Sequence, residues 1–150
     1  MLDNTKFDPE KIELLEVKII KGQIDTPEEF IIEKGTDQTI ENSLQLGFNI
    51  EEKLIRAEFT IQLKTDSKGA NEHEAEGSFH FVFIYKVANL EELATVNKKN
   101  VVDLTASLGS ALSSITYSTV RGILLTRLQS TAFQNFILPI INPNKLLHNN

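Results

Sequence analysis

Residues 108–147 constrain this chain more than any other stretch. They read LGSALSSITYSTVRGILLTRLQSTAFQNFILPIINPNKLL: a long helical pattern, a break at Thr131-Ala132-Phe133, and an apolar run punctuated by Pro139 and Pro143. Leu104, Leu108, Leu112 and Ile115, then Val120, Leu124 and Leu128, keep helical spacing, with a slip near Ser118-Thr119. Between them stand Gly109, Ser110, Ala111, Ser113, Ser114, Ser118 and Gly122. Glycine and serine are weak helix formers, so packing must hold this helix, and its small residues let another backbone come close. Asn100 is placed to cap it, with Asp103 in the first turn where a negative charge is favoured. The prolines force an extended segment before a short last helix near residues 144–147.

What precedes the helix reads as strand. Ile55, Ala57, Phe59, Ile61 and Leu63 alternate with Arg56, Glu58, Thr60, Gln62 and Lys64, the period of a half-buried antiparallel strand. Leu44, Leu46, Phe48 and Ile50 alternate in the same way just before it. After a polar loop at residues 66–71, a long strand is predicted over 72–87, with Phe79, Phe81, Phe83, Tyr85 and Val87 on one face and Glu72, Glu74 and Glu76 sharing a face. A first strand over residues 12–23 changes phase between Leu14 and Leu15, which predicts a β-bulge. Residues 24–41, punctuated by Pro27 and Gly35, read as a crossover with a short edge strand around Phe30-Ile31-Ile32. Residues 89–100 read as a polar connector with one helical turn at 90–93. The fold class is therefore α+β, a four-stranded antiparallel sheet followed by a long helix and a short C-terminal helix, in one domain over 1–150.

Composition narrows the function classes. Hydrophobic residues make up 41% and charged residues 24%, a globular balance. The chain has no cysteine, which removes disulfides, thiolate chemistry and cysteine metal sites. Its net charge of −6 is concentrated in the first hundred residues, because residues 101–150 hold Arg121, Arg127 and Lys145 against Asp103 alone. An acidic body argues against nucleic-acid binding and permits a basic partner. The start MLDNTKFDPEKIE lacks the pattern of a secretory signal, and no apolar run reaches the length of a membrane span. Those readings place the protein in the cytoplasm. His73, His80 and His148 show no metal spacing, and neither a nucleophile elbow nor a phosphate-binding glycine loop occurs. The expectation is no catalysis, no cofactor and no metal.

In its carboxy-terminal half the sequence resembles the SecB export chaperones. The resemblance is carried by Leu108-Gly109 at the head of the helical block, Arg121 thirteen residues later, Thr131-Ala132-Phe133, Asn142 and Leu146-Leu147, with Gly77-Ser78-Phe79 similar to a Gly-x-Phe of that family's fourth strand. It spans about residues 43–147. Ser113 and Ser118 stand where the family's main helix has prolines, Pro143 replaces an aromatic, and the chain has no tryptophan. The chain thus reads as a divergent branch.

The resemblance implies a homotetramer, a dimer of dimers with the long helices between two layers of sheet. Gly109, Ser110, Ser113, Ser114, Ser118 and Gly122 would form its interface. It also implies an ATP-independent holdase that keeps unfolded preproteins in hydrophobic grooves and passes them to the SecA motor. Candidates for the groove are Phe48, Phe79, Phe81, Tyr117, Phe133, Phe136 and Leu146, although for any one of them filling the core or the tetramer interface is the favoured reading. Glu72, Glu74 and Glu76 are either the acidic patch that docks SecA or a solvated strand face. Arg121 is expected to pair with a sheet carboxylate and fix the helix. A SecB-like chaperone dedicated to one client, such as an antitoxin, fits the same residues. A carrier for a small apolar ligand, held in a closed cavity between the aromatic strand and the helix, is the reading from another class.

Overall fold

The computed structural model describes residues 4–33 and 36–148, the last by its backbone only. Gly35 and the side chain of His148 lie outside the described residues. Four long strands, β1 (Ile12–Asp25), β2 (Asp37–Asn49), β3 (Leu54–Asp66) and β4 (Glu76–Val87), form one antiparallel sheet in the order β1-β4-β3-β2. A helical turn α1 (Leu90–Leu93) leads into a two-stranded ribbon of β5 (Ala94–Val96) and β6 (Val102–Leu104). The long helix α2 (Ala106–Arg127) follows, then an irregular tail and α3 (Asn144–His148).

The period-two pattern accounts for the sheet. Ile55, Ala57, Phe59 and Ile61 of β3 stand opposite Tyr85, Phe83, Phe81 and Phe79 of β4, and all eight are buried. Parallel stacking of Phe79 on Phe81 and of Phe83 on Tyr85 continues along β4 at 6.0 and 6.2 Å between ring centres. The core lies between this inner face, α2 and the tail that contributes Phe133, Phe136, Leu138 and Leu146. The opposite face of β3 is polar, with Arg56 bonded to Glu58 at 2.7 Å.

Strand β1 carries the bulge that its phase change predicts, between Leu14 and Glu16, and a second between Ile19 and Lys21. Each leaves one residue unpaired, Leu15 and Ile20, and restores the inward face at Val17, Ile19, Gly22 and Ile24. No edge strand forms around Phe30-Ile31-Ile32; β2 itself, starting at Asp37, is the edge on the β3 side, and β1 is the other.

Two further expectations are corrected. Strand β4 begins at Glu76, so Glu72 and Glu74 lie in the β3–β4 loop and share no strand face with Glu76. The loop wins because the Thr65 side chain accepts from the Ala75 N–H at 2.9 Å, and both Glu74 oxygens accept from the Ser67 N–H at 2.9 and 3.0 Å. Asn100 does not cap α2. It takes a positive φ of 59° in the β5–β6 turn, where the Asn97 side chain accepts from the N–H groups of Lys99 and Val101. Asp103 lies in β6 opposite Thr95. The cap is Thr105, whose hydroxyl oxygen accepts from the Leu108 N–H at 3.3 Å.

Candidate functional site

The ribbon, the start of α2, the last helix and the edge strand converge on an open groove of about 800 Å³ with a mixed lining, in which apolar side chains alternate with Gln45, Asp103, Thr105 and Asn144. Leu44, Leu46 and Phe48 come from β2, where alternation puts every second side chain on this side. Val101, Val102 and Leu104 come from the ribbon, Ala106 and Gly109 from α2, and Leu147 from α3. Leu44 is wholly buried, Leu46 and Phe48 are half-buried, and Val101 is 53% exposed, so one wall is accessible to a ligand. Asp103 is the one charged residue of the lining. A second hollow of about 520 Å³, beside the ends of the strands, is lined by Lys21, Asp25, Glu41, Lys64 and Glu76. Its charges favour water over apolar groups.

Of the seven aromatic and apolar residues expected at a groove, Phe48 alone lines this one. Phe79, Phe81, Tyr117, Phe133, Phe136 and Leu146 are buried in the core of the single chain and offer no surface there. The reason is geometric: the inner face of β4 is central in the sheet and covered by α2 and the tail, whereas β2 is an edge. The ribbon residues escape a reading by residue type because Asn89–Asn100 looks merely polar. The signal was available in the β-branched Val96 and Val101-Val102 flanking an Asn-Lys-Lys-Asn turn.

Arg121 also finds a different partner from the one expected. Among the described residues it meets no carboxylate; its Nε donates to the Leu138 carbonyl at 3.2 Å and its guanidinium lies 5.2 Å from the Tyr117 ring centre. The Tyr117 hydroxyl donates to the Pro139 carbonyl at 2.5 Å. Together they hold the extended tail on α2, which keeps α3 against the groove. Burial pushes the Tyr117 hydroxyl above its ordinary range, and the Arg121 charge opposes that rise.

The small residues of α2 divide between two faces. Gly109 and Ser113 are buried inside the chain: a Cβ on Gly109 would meet Leu147 Cδ1 at 3.6 Å, and the Ser113 hydroxyl donates to the Gly109 carbonyl at 2.7 Å. Ser110 and Ser114 are half-buried. Ser118 and Gly122 are exposed, beside the exposed Ile115 and Leu125, and nothing lies within 4 Å of a Cβ built on Gly122. The first two therefore serve the monomer, and the outward pair belongs to a free helix face.

Glu76 points along the polar side of the sheet 3.8 Å from Lys64, while Glu72 lies 3.9 Å from His73 in the loop. Among the described residues no group of three or more His, Cys, Asp or Glu is arranged to hold a metal ion, and no helix is long and apolar enough to cross a membrane.

No protein-family model matches the sequence, and no curated protein matches it. Solved structures do match. The fold is similar to that of the Mycobacterium tuberculosis Rv1957 SecB-like chaperone, in a complex with a ChAD peptide from the Rv1956 HigA1 antitoxin. The two agree with a TM-score of 0.63 and 12% sequence identity over 88% of this chain and 91% of that chain. With its four-stranded antiparallel sheet, long helix and short terminal helix in the same order, this chain has the SecB-like fold.

Proposed function

We propose that the protein is an ATP-independent holdase that binds extended, apolar segments of unfolded polypeptides. The observation that carries this reading is the open groove beside β2, a strand with one unpartnered edge, in a fold shared with a chaperone solved with a bound peptide. An extended client lying along β2 would present alternate side chains to Leu46 and Phe48, about 6.6 Å apart, while its backbone pairs with the strand edge. Each apolar side chain buried contributes about 1.5–3 kcal/mol before the cost of ordering the client. Several such contacts give holding without a nucleotide cycle, and each alone is weak enough to release.

The test is the aggregation of a chemically unfolded client followed by light scattering. The wild-type protein should suppress the signal, and Phe48→Ser with Val101→Glu should need at least tenfold more protein for the same suppression. Full suppression by that double variant would sink the groove assignment.

A second reading is favoured by the peptide in the similar structure: a chaperone dedicated to one client, such as an antitoxin. Suppression that is strong for one polypeptide and absent for unrelated ones would select it. The carrier of a small apolar ligand has less support, since Phe59 and Tyr117 meet edge to face at 6.1 Å where its closed cavity would be.

Delivery to SecA and assembly as a homotetramer in the cytoplasm are the remaining parts of the proposal. Of the acidic trio, Glu76 alone lies on the sheet, and Glu74 is taken up by Ser67. Glu76→Lys is therefore the variant to compare in SecA binding, and unchanged binding would remove that step. The exposed Ile115, Ser118, Gly122 and Leu125 support helix-to-helix assembly.

A further inference from the structure

Strand β1 ends at Asp25 on one edge of the sheet, and β2 begins at Asp37 on the other. The chain between them must cross the end of the sheet, where the β3–β4 loop also lies. Four strands spaced about 4.8 Å apart put those edges roughly 14 Å from one another. In the crossing, residues 26–33 join no strand and form a strap. A turn closes on it where the Phe30 N–H donates to the Pro27 carbonyl at 2.9 Å, and Phe30 packs against the core. Ile31 and Ile32 beside it remain 61% and 42% exposed.

One side chain clasps this strap. The Asn71 Oδ1 accepts from the Ile31 N–H at 2.8 Å, and its Nδ2 donates to the Ile31 carbonyl at 3.2 Å. A carboxamide thus supplies the two hydrogen bonds that a neighbouring antiparallel strand supplies to one residue. The two backbone groups, one donor and one acceptor, fix which way the amide faces. Asn71 is braced in turn: its N–H donates to Ser67 Oγ at 3.1 Å, and the Ser67 hydroxyl donates to the Glu74 carboxylate. Asn71 is thus positioned by hydrogen bonds within its own loop, and the strap it clasps has no strand pairing of its own.

We propose that Asn71 is a latch that holds residues 26–33 in place with Phe30 packed against the core, and that its release exposes Phe30 beside the already exposed Ile31 and Ile32. The clasp consists of two neutral hydrogen bonds at the protein surface, so the strap opens far more often than the sheet unfolds. The latch stands whether or not the groove beside β2 holds clients.

Hydrogen exchange on the full chain tests it, with binding of the apolar dye bis-ANS as the second readout. In Asn71→Ala the Ile31 amide should exchange about tenfold faster, the factor that roughly 1.4 kcal/mol of lost hydrogen bonding gives. The amides of Phe81 and Phe83 in β4 should be unchanged, and dye fluorescence should rise. Asn71→Asp keeps the acceptor for the Ile31 N–H but sets an oxygen against the Ile31 carbonyl, and should open the strap as well. Unchanged Ile31 exchange, a rise shared equally by β4, or unchanged dye binding would each overturn the latch.

Discussion

Removing the hydroxyl of Tyr85 separates the helix from the sheet at one defined point. That hydroxyl meets Thr116 Oγ1 at 2.7 Å, and both residues are fully buried. The pair joins the middle of α2 to the end of the aromatic face of β4, which otherwise touch through hydrocarbon. A neutral hydrogen bond contributes about 0.5–1.5 kcal/mol net, but an orphaned buried partner adds a desolvation penalty of about 1–3 kcal/mol. Tyr85→Phe orphans the threonine, and Thr116→Val orphans the tyrosine. Each should destabilise by about 1–2 kcal/mol, the former less, because a helical threonine also reaches the carbonyl four residues back. The double variant leaves no orphan and should be more stable than the sum of the two losses by about 1 kcal/mol. Urea unfolding of all four proteins by circular dichroism, at one protein concentration, measures this. A coupling below about 0.3 kcal/mol would refute the assignment of the bond as the element joining the two layers.

The same tyrosine predicts an alkaline limit. Burial pushes its hydroxyl up from 10.0 to about 12, with the Thr116 bond opposing. The unfolded chain therefore releases this proton first, so the contribution is fully present below pH 10 and is lost as the pH rises from 10 to 12. The loss is on the order of 2 kcal/mol, and Tyr85→Phe should lose correspondingly less over the same range; an equal loss in the variant would place the effect elsewhere. Arg121→Met removes the hold on Leu138 and should destabilise by about 1 kcal/mol while opening residues 137–142 to limited proteolysis. Gly109→Val crowds Leu147 and should displace α3, shown by loss of Leu147 methyl shifts near the helix, whereas Gly109→Ala fits the 3.6 Å space and should be tolerated. Gly122→Ala meets open space in the single chain and should raise stability by about 0.5–1 kcal/mol, and Gly122→Trp should shift sedimentation to smaller species if copies pack on that face. An unchanged sedimentation profile in Gly122→Trp would remove the helix face from the assembly.

Much of the architecture was legible because each element carries its own period. The alternation of Ile55 to Leu63 and of Phe79 to Val87 specifies antiparallel strands with one buried face, and the phase change at Leu14-Leu15 specifies a bulge. Local rules failed where a side chain outcompeted them. Glu74 would extend β4 by parity, but its carboxylate finds two bonds at Ser67, and the strand starts two residues later. Asn100 has the composition of a cap, yet Asn97 draws the preceding chain into a turn and the cap passes to Thr105.

The candidate site was less legible than the fold. Residue type selected the aromatics of β4 and α2 for a groove, and nothing in their spacing distinguishes a side chain facing its own helix from one facing a client. Burial made the distinction, leaving Phe48 at the surface because β2 ends the sheet. By itself the sequence determined the four long strands, the long helix and their inward faces, since these depend on period, while the ribbon, the start of β4 and the helix cap did not follow from it. Strand order, the side of α2 left free, the Asn71 clasp and the groove beside β2 were decided by tertiary structure alone. They depend on contacts distant in the chain, as in Ile31 with Asn71 and Ile12 with Val87, where no local pattern records the partner.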